Sequence, residues 1–187
     1  RVFYRPFVYL MMNKPQGVLS ASEDRGGAVT AADLVAGEYA HYRVSPAGRL
    51  DKDSEGFLIL TNDGDYIHQV ISPAKHVSKR YFCSLEHEIS EADIAAFENG
   101  ILLADGFLCR PAVLERGVPG RDAPGPSAFV TIQEGKFHQV KRMFAARANK
   151  VLALKRVRIG GVCLDASLAP GEYREMTEEE KERIIHE

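Results

Sequence analysis

The chain has 187 residues, of which 45% are hydrophobic and 27% charged, with a formal net charge of −2. That length and composition suit one soluble domain, or one domain with two lobes, built on a sizeable apolar core. They exclude a uniformly basic nucleic-acid binder, and three scattered cysteines exclude a disulfide scaffold. Cys83, Cys109 and Cys163 lie among apolar residues and read as reduced core residues of a cytosolic protein. No C-x-x-C or His-x-x-x-His pattern suggests zinc, so no metal is expected. The apolar run Phe7 to Met12 stops at Asn13-Lys14-Pro15, too short for a membrane span or a signal core.

The spacing predicts a strand over 7–13, halted by Pro15 and Gly17, then a short helix over 28–35 with Thr30 as a possible cap. Residues 42–44 read as a short extended piece and 56–61 as a buried strand. Asp63 is placed to cap a helix over 65–71, which Ser72-Pro73 ends. Tyr81, Cys83 and Leu85 alternate along a strand over 79–85. Ser90 to Asp93 opens a helix with a capping-box start, and Asn99-Gly100 closes it. Strands are expected over 112–115 and 128–133, joined by a Gly/Pro-rich surface loop. The clearest helix is expected over 137–148, since Phe137, Val140, Phe144 and Arg147 fall at helical spacings. A long strand pair or bent strand over 151–164 around Gly160-Gly161, a strand over 173–176 and a last helix capped by Thr177 complete the chain. Strands and helices mix without βαβ repetition, which is the α+β class.

Charge is segregated. From Gly135 to Leu164 there is no acidic residue, while Lys136, Lys141, Arg142, Arg147, Lys150, Lys155, Arg156 and Arg158 fall there. Such a stretch is either a positive face for a polyanion or a solvated helix and strand balanced by an acidic neighbour. The loop Asp51 to Glu55, between Gly48-Arg49 and the apolar run Phe57 to Leu60, is the other unusual feature. Carboxylates on a loop beside a rigid strand are where catalytic groups are often held. Asp51-x-Asp53-x-Glu55-Gly56 imitates the start of a calcium loop, but the twelfth position is Asn62 instead of glutamate, and no helix leads in. A glycosidase-like carboxylate pair and a plain solvated turn both remain compatible with the loop taken alone.

Gly48-Arg49-Leu50-Asp51, with Ser54-x-Gly56 and Leu60-Thr61-Asn62-Asp63-Gly64, resembles the active-site motif of rRNA pseudouridine synthases. Lys79-Arg80-Tyr81 resembles the family's Lys-x-Tyr strand, and Glu134 to Phe144 its basic helix motif. Arg158-Ile159-Gly160 and Leu168 to Arg174 extend the likeness over nearly the whole chain. Within the family, His138-Gln139-Val140-Lys141-Arg142-Met143 looks most like the branch of ribosomal small subunit pseudouridine synthase A, whereas large-subunit relatives more often carry Arg-Gln at positions 138–139 and arginine at 141.

The resemblance implies an α+β pseudouridine synthase fold over residues 1–187, a mixed, mostly antiparallel sheet in two lobes with a central RNA-binding cleft. It implies a cofactor-independent isomerase that converts a uridine of small-subunit rRNA to pseudouridine, acting in the cytoplasm as a monomer on rRNA or a pre-ribosomal particle; the alternatives are a synthase acting on large-subunit rRNA and a non-catalytic RNA-binding module. Asp51 takes the place of the nucleophilic carboxylate, Lys141 that of the cation that keeps it ionised, and Tyr81 that of the aromatic that packs on the target base. Arg49 is expected to fill the gap left by the extruded uridine or to bind a phosphate, with an ion pair to Asp53 or Glu55 as its structural alternative. Lys136, His138, Gln139, Arg142, Lys155, Arg156 and Arg158 are the expected RNA contacts, with His138 and Gln139 acting as helix-positioning or backbone-binding groups. The family usually begins with a small S4-like RNA-binding domain; none is visible here and the first residue is Arg1, so this chain is expected to be a piece of a longer protein.

Overall fold

Two apolar runs build the first half of the molecule. β1 (Tyr9–Lys14) lies antiparallel to β3 (Glu55–Thr61), with Tyr9 opposite Thr61 and Lys14 opposite Gly56. Both runs are apolar at odd and even positions because the sheet is covered on both faces. Leu10, Met12, Leu58 and Leu60 pack with Ala31 and Val35 of α1 (Ala31–Tyr39). Met11, Phe57 and Ile59 pack with Tyr66 and Val70 of α2 (Gly64–Ile71) and Ile184 of α5 (Glu178–Ile185). Each such side chain, fully removed from water, contributes about 1.5–3 kcal/mol.

The structure, a computed structural model, describes residues 5–187. It forms two units, one of residues up to Val77 together with Arg158–Glu187, the other Ser78–Val157. In the first unit β2 (Ser45–Pro46) pairs with the end of β3, and β9 (Tyr173–Glu175) adds to the free side of β1 with Met12 opposite Tyr173. Thr30 caps α1 through a capping box with Asp33, Asp63 caps α2 by accepting from the Asp65 and Tyr66 amides, and Thr177 caps α5 with Glu180. These are the caps the sequence signals.

In the second unit the strand order is β5 (Val113–Arg116), β6 (Ser127–Ile132), β4 (Lys79–Leu85), β7 (Val151–Ile159), the last two residues of β7 belonging to the first unit. Tyr81, Cys83 and Leu85 are buried on one face of β4, as their alternation predicts, and β4 runs antiparallel to β6 with Tyr81 opposite Val130. α3 (Glu91–Asn99) begins in the Ser90–Asp93 capping box, and its Phe97 ring lies 5.1 Å from that of Phe144 in α4 (Gln139–Ala145).

Three expectations change. Residues 42–44 are not extended: Ala40–Tyr42 makes a 3₁₀ turn, and Arg43 follows in the left-handed region at φ 52°. The helix expected over 137–148 is only the seven residues of α4, since His138 at φ 49° and Ala148 at φ 57° break it at either end. Cys163 is exposed on β8 (Val162–Cys163), a two-residue strand that pairs with Arg158 and Ile159, while Cys83 and Cys109 are buried as expected. The β7–β8 turn at Gly160 needs glycine: at φ 55°, an added Cβ would sit 2.2 Å from the Ile184 carbonyl oxygen of α5.

Candidate active site

The acidic loop is fastened from below. Ser20 Oγ accepts from the Leu50 amide at 3.0 Å and donates to the Leu50 carbonyl at 2.9 Å, so one hydroxyl holds both polar groups of the residue before Asp51. The Ser54 amide closes a turn onto the Asp51 carbonyl at 3.0 Å, and the Gly17 amide reaches the Lys52 carbonyl at 2.7 Å. Lys14 follows Leu10 and Met12 on the same face of β1 and is 0% exposed. Its ammonium donates to the carbonyls of Pro15 at 2.9 Å, Val18 at 2.7 Å and Lys52 at 3.4 Å. A buried ammonium must be satisfied in this way. Asp51 is thus half-buried on a short turn between two anchored strands, and Arg49 is exposed with no carboxylate at ion-pair distance among the described residues. The ion pair weighed for Arg49 with Asp53 or Glu55 therefore does not form. Asn62 and Asp63, also part of the motif, are structural: Asn62 Oδ1 accepts from the Val8 amide at 3.0 Å, and Asp63 caps α2.

The second unit carries Tyr81, Lys136, His138, Gln139, Lys141, Arg142, Lys155 and Arg156, while Arg158 belongs to the first. Tyr81 is 7% exposed on β4, and the guanidinium of Arg156 on neighbouring β7 lies 6.0 Å from its ring centroid. That distance is at the outer edge of a cation–π contact. Around α4, the buried Glu134 carboxylate accepts from the Arg110 amide at 2.7 Å and from Gln139 Nε2 at 2.8 Å. Gln139 Oε1 in turn accepts from the Lys136 amide at 3.0 Å. Arg142 bridges the Phe137 carbonyl at 3.1 Å and the Asp105 carboxylate at 2.6 Å. The amide of Phe107 and this guanidinium together hold the Asp105 carboxyl below the usual carboxylate range. Lys141 is half-buried on α4.

Two of the residues expected at the RNA face are buried. Gln139 is 3% exposed, as suits a helix-positioning group, and Arg156 2%. Gln139 spends its amide on Glu134 and Lys136, and Arg156 stands beside Tyr81. The basic stretch is also partly neutralised from within, Arg142 by Asp105, Arg147 by Asp93 at 2.8 Å, and Arg158 by Glu187 at 4.0 Å. Among the described residues no three His, Cys, Asp or Glu side chains are arranged to hold a metal ion, and no helix is long and apolar enough to cross a membrane.

The family model described as RNA pseudouridylate synthase matches residues 8–146, a span that contains the acidic loop, the Tyr81 strand and α4. The chain belongs to the RNA pseudouridylate synthase family. It is 51% identical, over 96% of its length and 74% of the relative's, to the Bacillus subtilis protein called uncharacterized RNA pseudouridine synthase YtzG. It is 41% identical, over 95% of its length and 74% of the relative's, to ribosomal small subunit pseudouridine synthase A of Escherichia coli. A crystal structure of pseudouridylate synthase superposes with a TM-score of 0.86 at 40% identity, covering 95% of this chain and 74% of that one. The fold is accordingly the α+β pseudouridine synthase fold with a mostly antiparallel sheet, and the chain is a pseudouridine synthase, an isomerase, of the branch that holds ribosomal small subunit pseudouridine synthase A.

Within this synthase, sequence reasoning passed over Lys14 and Ser20, which hold the Asp51 loop through contacts 38 and 30 positions away. Neither stands in a spacing that betrays the contact. The one available signal was the lysine itself, a charged residue closing an otherwise apolar strand.

Proposed function

We propose that this synthase isomerises one specific uridine of small-subunit (16S) rRNA, with Asp51 as its nucleophilic carboxylate. The reaction breaks the N1–C1′ bond of uridine and forms a C5–C1′ bond; C5 gives up its proton and N1 gains one, so no redox equivalent is used. Asp51 carries the covalent step, Lys141 supplies the cation that favours its ionised form, and Tyr81 packs on the uracil ring. The exposed Arg49 takes the position of the extruded nucleoside. Lys136, His138, Arg142, Lys155 and Arg158 serve as contacts to RNA backbone. Residues 1–187 act as one catalytic domain.

The observation that carries this reading is the relatives at 41–43% identity over 92–95% of the chain that are named ribosomal small subunit pseudouridine synthase A. The His138-Gln139-Val140-Lys141 segment supports the same branch. YtzG, at 51%, carries no ribosomal subunit in its name, which keeps large-subunit rRNA as the second reading. The test is release of tritium from unmodified transcripts of the two rRNAs, labelled at uridine C5. Release from the small-subunit transcript alone is expected, and Asp51→Asn should bind that transcript but release none. Release from the large-subunit transcript alone overturns the assignment, and an active Asp51→Asn enzyme removes the carboxylate from the mechanism.

A further inference from the structure

Phe137 is 76% exposed, the most exposed large apolar side chain described. Its ring is not loose. It stacks on the His138 ring with centroids 3.8 Å apart and planes 17° apart. The backbone beneath it is tied at four points: Gln139 Oε1 accepts from the Lys136 amide, the Gln139 amide donates to the Lys136 carbonyl at 3.0 Å, Arg142 Nη1 donates to the Phe137 carbonyl, and the Arg142 amide donates to the His138 carbonyl at 2.9 Å. His138 is held at φ 49°, a conformation histidine rarely adopts, immediately before the start of α4, and its ring is half-buried while that of Phe137 faces solvent. Lys136 lies 5.1 Å from the Phe107 ring, and Arg142 stands on the other side of Phe137 in sequence.

We infer that the Phe137–His138 pair is a stacking platform for an unpaired base of the bound RNA, a nucleotide other than the uridine being isomerised. The inference rests on the synthase acting on RNA and not on which rRNA it modifies. A fixed, solvent-facing aromatic with an exposed lysine next to it in the chain is the composition that single-stranded nucleic acid selects, ring for base and cation for phosphate. A protein partner of comparable chemistry would call for an apolar groove, whereas a single ring beside a lysine offers one base-sized face.

The experiment compares wild type with Phe137→Ala, Phe137→Trp and Lys136→Ala, on whichever rRNA transcript wild type modifies. Phe137→Ala should weaken RNA binding between about fivefold and about 150-fold while leaving the salt dependence of binding unchanged, because no charge is lost. Phe137→Trp should restore affinity. Lys136→Ala should lower the salt slope by about 1. Equal affinity of Phe137→Ala and wild type overturns the platform, even if tritium release confirms the substrate. So does a Phe137→Ala defect that Trp does not restore, or one accompanied by a lowered melting temperature. A wild type that modifies only the large-subunit transcript leaves the platform standing and overturns the 16S assignment alone.

Discussion

Lys14→Met isolates how the acidic loop is held. The substitution keeps the aliphatic stem in its buried track along β1 and deletes only the ammonium. Two short hydrogen bonds from a charged donor, at 2.9 and 2.7 Å, and a longer one at 3.4 Å disappear, leaving the Pro15, Val18 and Lys52 carbonyls short of a donor. Each bond to a charged group contributes about 1.5–3 kcal/mol. Against that loss stands the relief of burying an ion, which costs several kcal/mol. The net expectation is a destabilisation of about 2–4 kcal/mol, or a fall in melting temperature of roughly 5–15 °C for a chain of this length. Urea titration gives the free energy directly. At a temperature where the variant is still folded, tritium release should slow more than RNA binding weakens, since the Lys52 carbonyl adjoins Asp51 and a looser turn misplaces the carboxylate. A Lys14→Met protein as stable and as fast as wild type would refute the reasoning.

Three further outcomes test other parts of the fold. Gly160→Ala should destabilise by about 2–4 kcal/mol, because the new methyl meets the α5 backbone at a positive φ; urea titration with α5 helicity as the probe checks it. A thiol reagent should label one cysteine, Cys163, in the native chain and all three in denaturant, since burial pushes the Cys83 thiol up and burial with Glu134 pushes Cys109 up to about 11. Glu180, hydrogen-bonded by Arg174, has its carboxyl lowered to about 2 from an ordinary 4.5. A folded-state value below the unfolded one stabilises above about pH 4.5, and the contribution fades as pH falls toward 2. Arg174→Met should therefore cost about 1–2 kcal/mol at pH 7, allowing for solvent screening of a guanidinium 34% exposed, and converge with wild type near pH 2. Parallel thermal melts across that range decide it.

What was legible in the sequence was local. Ser90 with Asp93, Thr177 with Glu180, and Asp63 before Gly64 each announce a helix start within four residues, and each forms as read. The runs Leu10 to Met12 and Phe57 to Leu60 are apolar on both parities, which is how a strand covered on two faces must look. The failures also have local causes. Phe137 sits three positions before Val140 and so completes a helical stripe on paper, but the Gln139 side chain takes the Lys136 amide and His138 enters the left-handed region, so the helix begins only at Gln139. Cys163 looks like core beside Val162 and Leu164, yet strand alternation puts it on the outer face when Val162 is inside.

The charge pattern shows the same limit from the other side. The acid-free stretch from Gly135 to Leu164 left open a positive face for a polyanion or a solvated helix and strand balanced by an acidic neighbour. The structure divides these charges differently. Arg142 and Arg147 take carboxylates from Asp105 and Asp93 within their own unit, while Glu175 and Glu180 of the tail pair with Arg5 and Arg174 in theirs. Linear segregation of charge therefore says little about which cations remain for RNA, because ion pairs form between residues 37 to 170 positions apart as readily as between neighbours. The same holds for the loop around Asp51: the carboxylate advertises itself in a motif of a few residues, but the groups that fix its backbone, Ser20 and Lys14, come from a distant segment. A nucleophile must be held to a fraction of an ångström to be of use, and it is that holding, rather than the reactive group, that only the folded chain displays.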